Sequence, residues 1–156
     1  MKDNYILFTV ASTIYGVSSQ DVAHVELVEE VTRVPNAPAY VDGVVFSRGA
    51  VVPGVNLRAR FGFERAPFDS RTRLIVVQHG GRTVGLIVDA AREFVSIPPD
   101  AIHPPAEGMT GTSGRYLRGV ATLGDRMILV LDVAELLSYD ELEPAAVARP
   151  HLTQEK

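Results

Sequence analysis

The sequence predicts an all-β protein built from small barrels. Three observations carry this expectation. Short Val/Ile/Leu runs recur at a spacing of about ten residues, turn residues separate them, and one strand pattern occurs twice. Hydrophobic types make up 46% and charged types 22% of the 156 residues, an ordinary balance for a soluble globular chain. A chain of this length buries roughly 70% of its unfolded surface. Trp is absent, so the core is aliphatic, and the abundance of Val favours strands, where β-branched side chains fit the pleated surface.

Taken in order, Tyr5–Val10, Ile14–Val17 and Val25–Val28 read as strands. Between the last two, SSQDVAHV allows one helical turn capped by Ser19 or Asp21, whose side chains accept bonds from free backbone N–H groups. Pro35 and Pro38 then break the chain. Gly43–Phe46 and Ala50–Val55 are strands joined through Ser47-Arg48-Gly49, a tight hairpin with glycine where φ must be positive. The polar stretch Glu64–Thr72 forms the best internal boundary. Leu74–Val77, a turn at His79-Gly80-Gly81, Thr83–Val88 and Glu93–Ile97 follow, and the proline-rich run Pro98 to Pro105 reads as an ordered connection. Ala106–Arg115, rich in Gly, Thr and Ser, reads as a mobile loop. Tyr116–Thr122 and Met127–Leu131 are strands across Gly124-Asp125. Asp132 to Glu135 forms a capping box that opens a short helix from Val133 to about Tyr139. The domain therefore occupies 1–139, with a polar tail over 140–156.

The repeat organises these elements. With a shift of 76 positions, Gly43-Val44 falls on Gly119-Val120, Val51-Val52 on Met127-Ile128, Val55 on Leu131 and Asn56 on Asp132. With a shift of 69, Gly16-Val17 falls on Gly85-Leu86 and Val22 to Val25 on Ala91 to Phe94. The copies run over about 14–68 and 69–137, with strand 5–10 joining the second barrel. One copy is too small to bury a good core; two packed together suffice. The Gly and Pro interruptions mark hairpins and barrel corners.

Composition excludes several functions. Net charge is −4 and the arginines are scattered among acids, so the basic face of a nucleic-acid binder is missing. Without Cys there is no disulfide, thiol nucleophile or cysteine metal site. No window of 18 apolar residues occurs and the N-terminus does not read as a leader, so no membrane insertion is expected. His24, His79, His103 and His151 lack metal-ligand spacing. Asp89, Asp125 and Asp132 sit at strand ends and read as caps rather than as paired catalytic carboxylates. There is no G-x-S-x-G, and Gly108–Gly114 lacks the Lys of a P-loop. No catalytic residue and no cofactor is expected. Arg58 and Arg60 read as stems covering the barrel edge.

The ordered set Tyr15-Gly16-Val17, Val31-Thr32-Arg33-Val34-Pro35, Gly43-Val44, Arg48-Gly49, Val52-Pro53, Leu57-Arg58, Val88-Asp89, Pro104-Pro105 and Gly124-Asp125-Arg126 resembles the CheW family of chemotaxis coupling proteins. The resemblance covers about Tyr5 to Leu137. It implies two five-stranded SH3-like β-barrels packed side by side, with a short C-terminal helix and no enzymatic activity. It implies a cytoplasmic adaptor between the tips of methyl-accepting chemoreceptors and the regulatory domain of a CheA-type histidine kinase, held at membrane receptor arrays through those partners. The site residues it implies are Val22 and Val25 in a groove between the barrels, His24 beside them, Arg48 in the hairpin, Gly43 opening that strand, and Val31 facing the kinase side.

Departures from the family pattern cluster there. His24 stands where the family carries Glu, Phe46-Ser47 where it carries Asn-Leu, and Gly54 interrupts its Pro-Val-x-Asp run. A neutral His24 cannot pair with Arg48, which leaves that guanidinium to solvent, to Glu26 or to a partner's acid. One alternative is a divergent paralogue that engages only receptor or only kinase. A more distant one is a small β-barrel ligand binder or enzyme, which would need converging polar groups that the sequence does not offer.

Overall fold

The computed structural model describes residues 3–105 and 116–137. The expected mobile loop 106–115 and the tail from 138 onward lie outside the described residues. The strands are β1 (Asp3–Val10), β2 (Thr13–Ser18), β3 (Val22–Leu27), β4 (Val41–Ser47), β5 (Ala50–Asn56), β6 (Arg73–His79), β7 (Arg82–Val88), β8 (Ala90–Ile97), β9 (Ile102–His103), β10 (Leu117–Leu123) and β11 (Arg126–Leu131). Two short helices, α1 (Leu57–Arg60) and α2 (Val133–Leu137), follow β5 and β11. The fold is all-β, in two sheets.

The strands are apportioned between the sheets differently from the expected halves 14–68 and 69–137. One sheet has the order β8-β1-β2-β11-β10-β9 and the other β3-β6-β7-β5-β4. Thus β2 lies with the later strands, β6 and β7 lie with the earlier ones, and Glu64–Thr72 links two members of one sheet. The reason is an exchange. The opening hairpins change places: β6 and β7 join β3, β4 and β5 through the β3–β6 pair, and β1 and β2 join the later strands through the β1–β8 pair. One parallel contact completes each sheet, β2 with β11 and β5 with β7. The sixth strand, two-residue β9, has its counterpart in the other sheet as the isolated Thr32–Val44 bridge.

The repeat survives in detail. Asn56 caps α1 by accepting from the Ala59 amide, and Asp132 accepts from the Glu135 amide at the start of α2. The amides of Asn56 and Asp132 donate to the carbonyls of Tyr40 and Tyr116, themselves equivalent under the shift. The Arg60 guanidinium lies between these two rings, 4.3 Å from the Tyr40 centroid and 4.8 Å from that of Tyr116. Arg58 forms a forked pair with Asp89, whose Oδ2 also accepts from the Ala11 amide in the β1–β2 turn. Both arginines are therefore clamps between copies, not stems along a barrel edge, and Asp89 is a hub rather than a strand-end cap. The turn before β3 is a single 3-10 turn over Ser19–Asp21 capped by Ser18, one residue ahead of the expected cap.

The main core lies between the sheets. Phe8, Tyr15 and Val17 of one pack against Ile75, Val77 and Leu86 of the other, with Leu136 and Leu137 of α2 closing it. Burying each such side chain stabilises by about 1.5–3 kcal/mol. Smaller clusters fill each barrel, one around Tyr5, Leu7 and Ile128, the other around Val45, Leu74 and Ile87.

Candidate partner-binding site

The expected site residues fall into three neighbouring groups along β3 and β4. A β-bulge between Val22 and His24 shifts the alternation of β3. As a result Val22 and Val25 both pack, half-buried, against the inter-sheet core. Ile6 of β1 packs against the same cluster from the other sheet. Phe94, its cross-strand neighbour on β8, remains 62% exposed. Half-buried apolar side chains from both sheets thus pack on the same core, and Phe94 adds an exposed ring beside Ile6.

The second group joins His24 to the β4–β5 hairpin. His24 Nε2 lies 2.6 Å from Glu26 Oε2 and 2.8 Å from Ser47 Oγ. The Ser47 hydroxyl donates to Glu26 Oε2 at 2.5 Å. With that proton committed, both oxygens facing His24 are acceptors, which assigns the hydrogen to Nε2. Ser47 is only 4% exposed, so water offers its hydroxyl no substitute partner. The Ser47 bond foremost, followed by His24 and the nearby Arg48 charge, holds the Glu26 carboxyl below the usual glutamate range, against burial, which pushes the other way.

Arg48 and Gly49 make the two-residue turn, with φ of +50° and +83°. Left-handed backbone at a residue with a Cβ is strained by roughly 1–2 kcal/mol. Arg48 is exposed and, among the described residues, makes no hydrogen bond or ion pair. Of the three fates expected for it, the structure combines two: the side chain faces solvent, and its charge acts on Glu26.

The third group is Val31 and Gly43. Val31 packs against the cluster inside the five-stranded barrel and lines an open hollow with Arg33, Pro38 and Arg65. Gly43 is buried, with φ +144°, and a Cβ there would stand 2.1 Å from the Thr32 carbonyl oxygen. It therefore presents no side chain to a partner. Its role is steric, letting the Thr32–Val44 bridge close. Gly119 does the same beneath His103, whose carbonyl oxygen would lie 2.4 Å from a Cβ.

The arrangement sets half-buried apolar side chains on β3 and a strained, exposed cation on the β4–β5 hairpin. The CheW-like domain family model matches residues 4–141. The chain belongs to the CheW-like family. It is 33% identical over 138 residues to the chemotaxis protein CheW of Klebsiella aerogenes, covering 88% of this chain and 83% of that one. Protein FrzA of Myxococcus xanthus is 28% identical over 95% of this chain and 89% of its own length. Among solved structures, the scaffolding protein TtCheW from Thermoanaerobacter tengcongensis superposes with a TM-score of 0.82 at 29% identity, over 90% of this chain and 96% of that one. The two-barrel SH3-like architecture is thus that of the CheW family, and the chain is a chemotaxis adaptor rather than an enzyme. No helix among the described residues is long and apolar enough to cross a membrane.

Sequence reasoning offered Glu26 as a partner for Arg48 and marked Ser47 as a departure, but it did not join the two to His24, and it missed Ile6 and Phe94. Two signals were present. His24 and Glu26, two apart on a strand, share a face, and the repeat sets Phe94 opposite Val25. Phe46 and Val51, paired across the hairpin and 74% and 64% exposed, form a further apolar surface next to Arg48.

Proposed function

We propose that this CheW-type adaptor couples the cytoplasmic tip of a methyl-accepting chemoreceptor to the regulatory domain of a CheA-type histidine kinase, and reaches membrane receptor arrays through those partners. The observation that carries the reading is the inter-sheet core on which Val22 and Val25 of one sheet and Ile6 of the other sit half-buried. A receptor helix laid over them would bury these side chains and Phe94, and Arg48 would meet an acid on the same helix. Val31 and the surface beside it serve the kinase side. A second reading has one specific support. The family's Glu is replaced by His24, which turns to Ser47 and Glu26 instead of Arg48, so a chain that engages only one of the two partners is the alternative.

Capture by a receptor tip fragment and, separately, by the kinase regulatory domain divides these readings. Both bind the coupling adaptor; only one binds the paralogue. Val22→Asp and Arg48→Ala are each expected to weaken receptor capture about tenfold or more, the range of interface hot spots, with kinase-domain capture retained. Unchanged receptor capture by both variants, with thermal melts showing them folded, refutes the assignment of the groove.

A further inference from the structure

We propose that His24, Glu26 and Ser47 form a proton-sensitive clasp that positions the Arg48 hairpin for its partner. What Arg48 is for rests on the adaptor reading above; how it is held rests on the geometry alone.

β3 and β4 stand at opposite ends of the five-stranded order, and among the described residues no ladder pairs them. Among the described residues, two polar contacts tie β3 and the loop after it to β4. One is the Thr32–Val44 backbone bridge. The other is made of side chains: His24 and Glu26 from β3 reach Ser47, the last residue of β4. Ser47 directly precedes Arg48 with its left-handed φ, so this contact fixes the backbone from which the exposed guanidinium departs. A backbone bridge is indifferent to pH. A contact through an imidazole is not, because histidine is the side chain whose ordinary charge change falls between pH 5 and 8.

The charged surroundings set the sign. Glu26 lies on the same strand, Glu29 and Glu30 of the following loop line one hollow with it, and Arg48 lies on the hairpin. On β6, the residues opposite His24 and Glu26 are Val76 and Leu74, both apolar. Arg73 at one end of β6 donates to the Ser70 and Thr72 carbonyls, and His79 at the other end pairs with Asp21. With His24 neutral, Arg48 is the cation acting on Glu26. With His24 protonated, Glu26 is neutralised from within the clasp, and the exposed Arg48 charge is left for a partner's carboxylate. Binding that uses Arg48 therefore strengthens when His24 is protonated, by about threefold, the scale of an exposed ion pair.

The test has an arm that needs no partner. The backbone amide resonances of Ser47, Arg48 and Gly49 are expected to change with pH in step with the His24 ring. The His24→Gln variant, which keeps an Nε–H donor and cannot titrate, is expected to abolish that change. Hairpin amides that stay fixed while the His24 ring titrates, or that titrate equally in His24→Gln, overturn the clasp whether or not the adaptor reading holds. The second arm measures binding of a receptor tip fragment at pH 6 and pH 8. Wild type should gain about threefold and His24→Gln should not change. Equal pH dependence in both chains overturns the coupling to Arg48. Ser47→Ala, which removes one bond at a buried site without altering charge, should shrink the hairpin titration. A full-sized response there rejects Ser47 as a member.

Discussion

The two copies of the repeat solve the same hairpin in opposite ways. Arg48 and Gly124 occupy equivalent turn positions, both left-handed, with φ of +50° and +63°. The second copy puts glycine there, which suffers no strain. It also places Glu93 where the first has His24, and Glu93 bonds to Arg126 beside it, so its charges are matched locally. The first copy places an arginine in the strained position, and among the described residues its guanidinium has no bonded partner. The register is the same, but the backbone is not: both residues of the first turn, Arg48 and Gly49, have positive φ, whereas in the second only Gly124 does. Strain retained at one of two equivalent positions marks the one under functional demand.

The sharpest way to break this comparison is at the glycines the copies share. Gly43→Ala and Gly119→Ala would each drive a Cβ into a backbone carbonyl oxygen, at 2.1 and 2.4 Å. Neither neighbour can give way without opening a bridge. Each substitution is expected to lower unfolding stability by about 3 kcal/mol, the upper range for overpacking, read from urea midpoints. A loss under about 0.5 kcal/mol, the scale of a neutral surface change, would mean the two closures are not equivalent steric locks.

A smaller effect distinguishes the copies instead of uniting them. Asp89 ties α1 to the β1–β2 turn through Arg58 and the Ala11 amide, and the repeat places Gln20 at the matching position of the first copy, so the clamp exists once. Burial alone pushes the Asp89 carboxyl upward. The Arg58 bonds, the Ala11 amide and the Arg58 charge outweigh it and leave the carboxyl below its usual range. A depressed carboxyl contributes stability above its unfolded value, about 3.9, and loses it as pH falls through the folded value. Asp89→Asn should therefore destabilise by about 1–3 kcal/mol at pH 7, and the gap from wild type should narrow below about pH 4. A gap that is constant down to pH 3 would show that the bonds matter but the charge does not.

These contrasts also show what a sequence can and cannot disclose here. The hairpin at Arg48-Gly49, the Asp132 cap and the glycine pair at 43 and 119 were legible, because turn chemistry and repeat register are local. The exchange of the opening hairpins, β1–β2 and β6–β7, between the sheets was not. An alternating strand such as Val22–Leu27 satisfies its pattern equally well against β1 or β6, and only the assembled core selects β6. The charged clamps were missed for a related reason. Arg58 meets Asp89 across 31 positions, and Glu26 meets Ser47 across 21, separations at which spacing carries no information. Val22 and Val25 were nameable by resemblance, but their shared facing depends on a bulge that no local pattern announces.

The finest test is reciprocal exchange at the turn. Gly124→Arg should destabilise by about 1 kcal/mol through backbone strain alone, since nothing lies within 4 Å of a Cβ at that position. Arg48→Gly relieves the same strain but gives the unfolded chain more freedom, so a net gain of about 0.5 kcal/mol is expected. The gain in stability should arrive together with loss of receptor capture. If Arg48→Gly instead destabilises the protein, Arg48 contributes through its charge on Glu26 more than it loses through its backbone. The hairpin would then be held as firmly as its counterpart, and the contrast between the copies would lie in their charges and not in their strain.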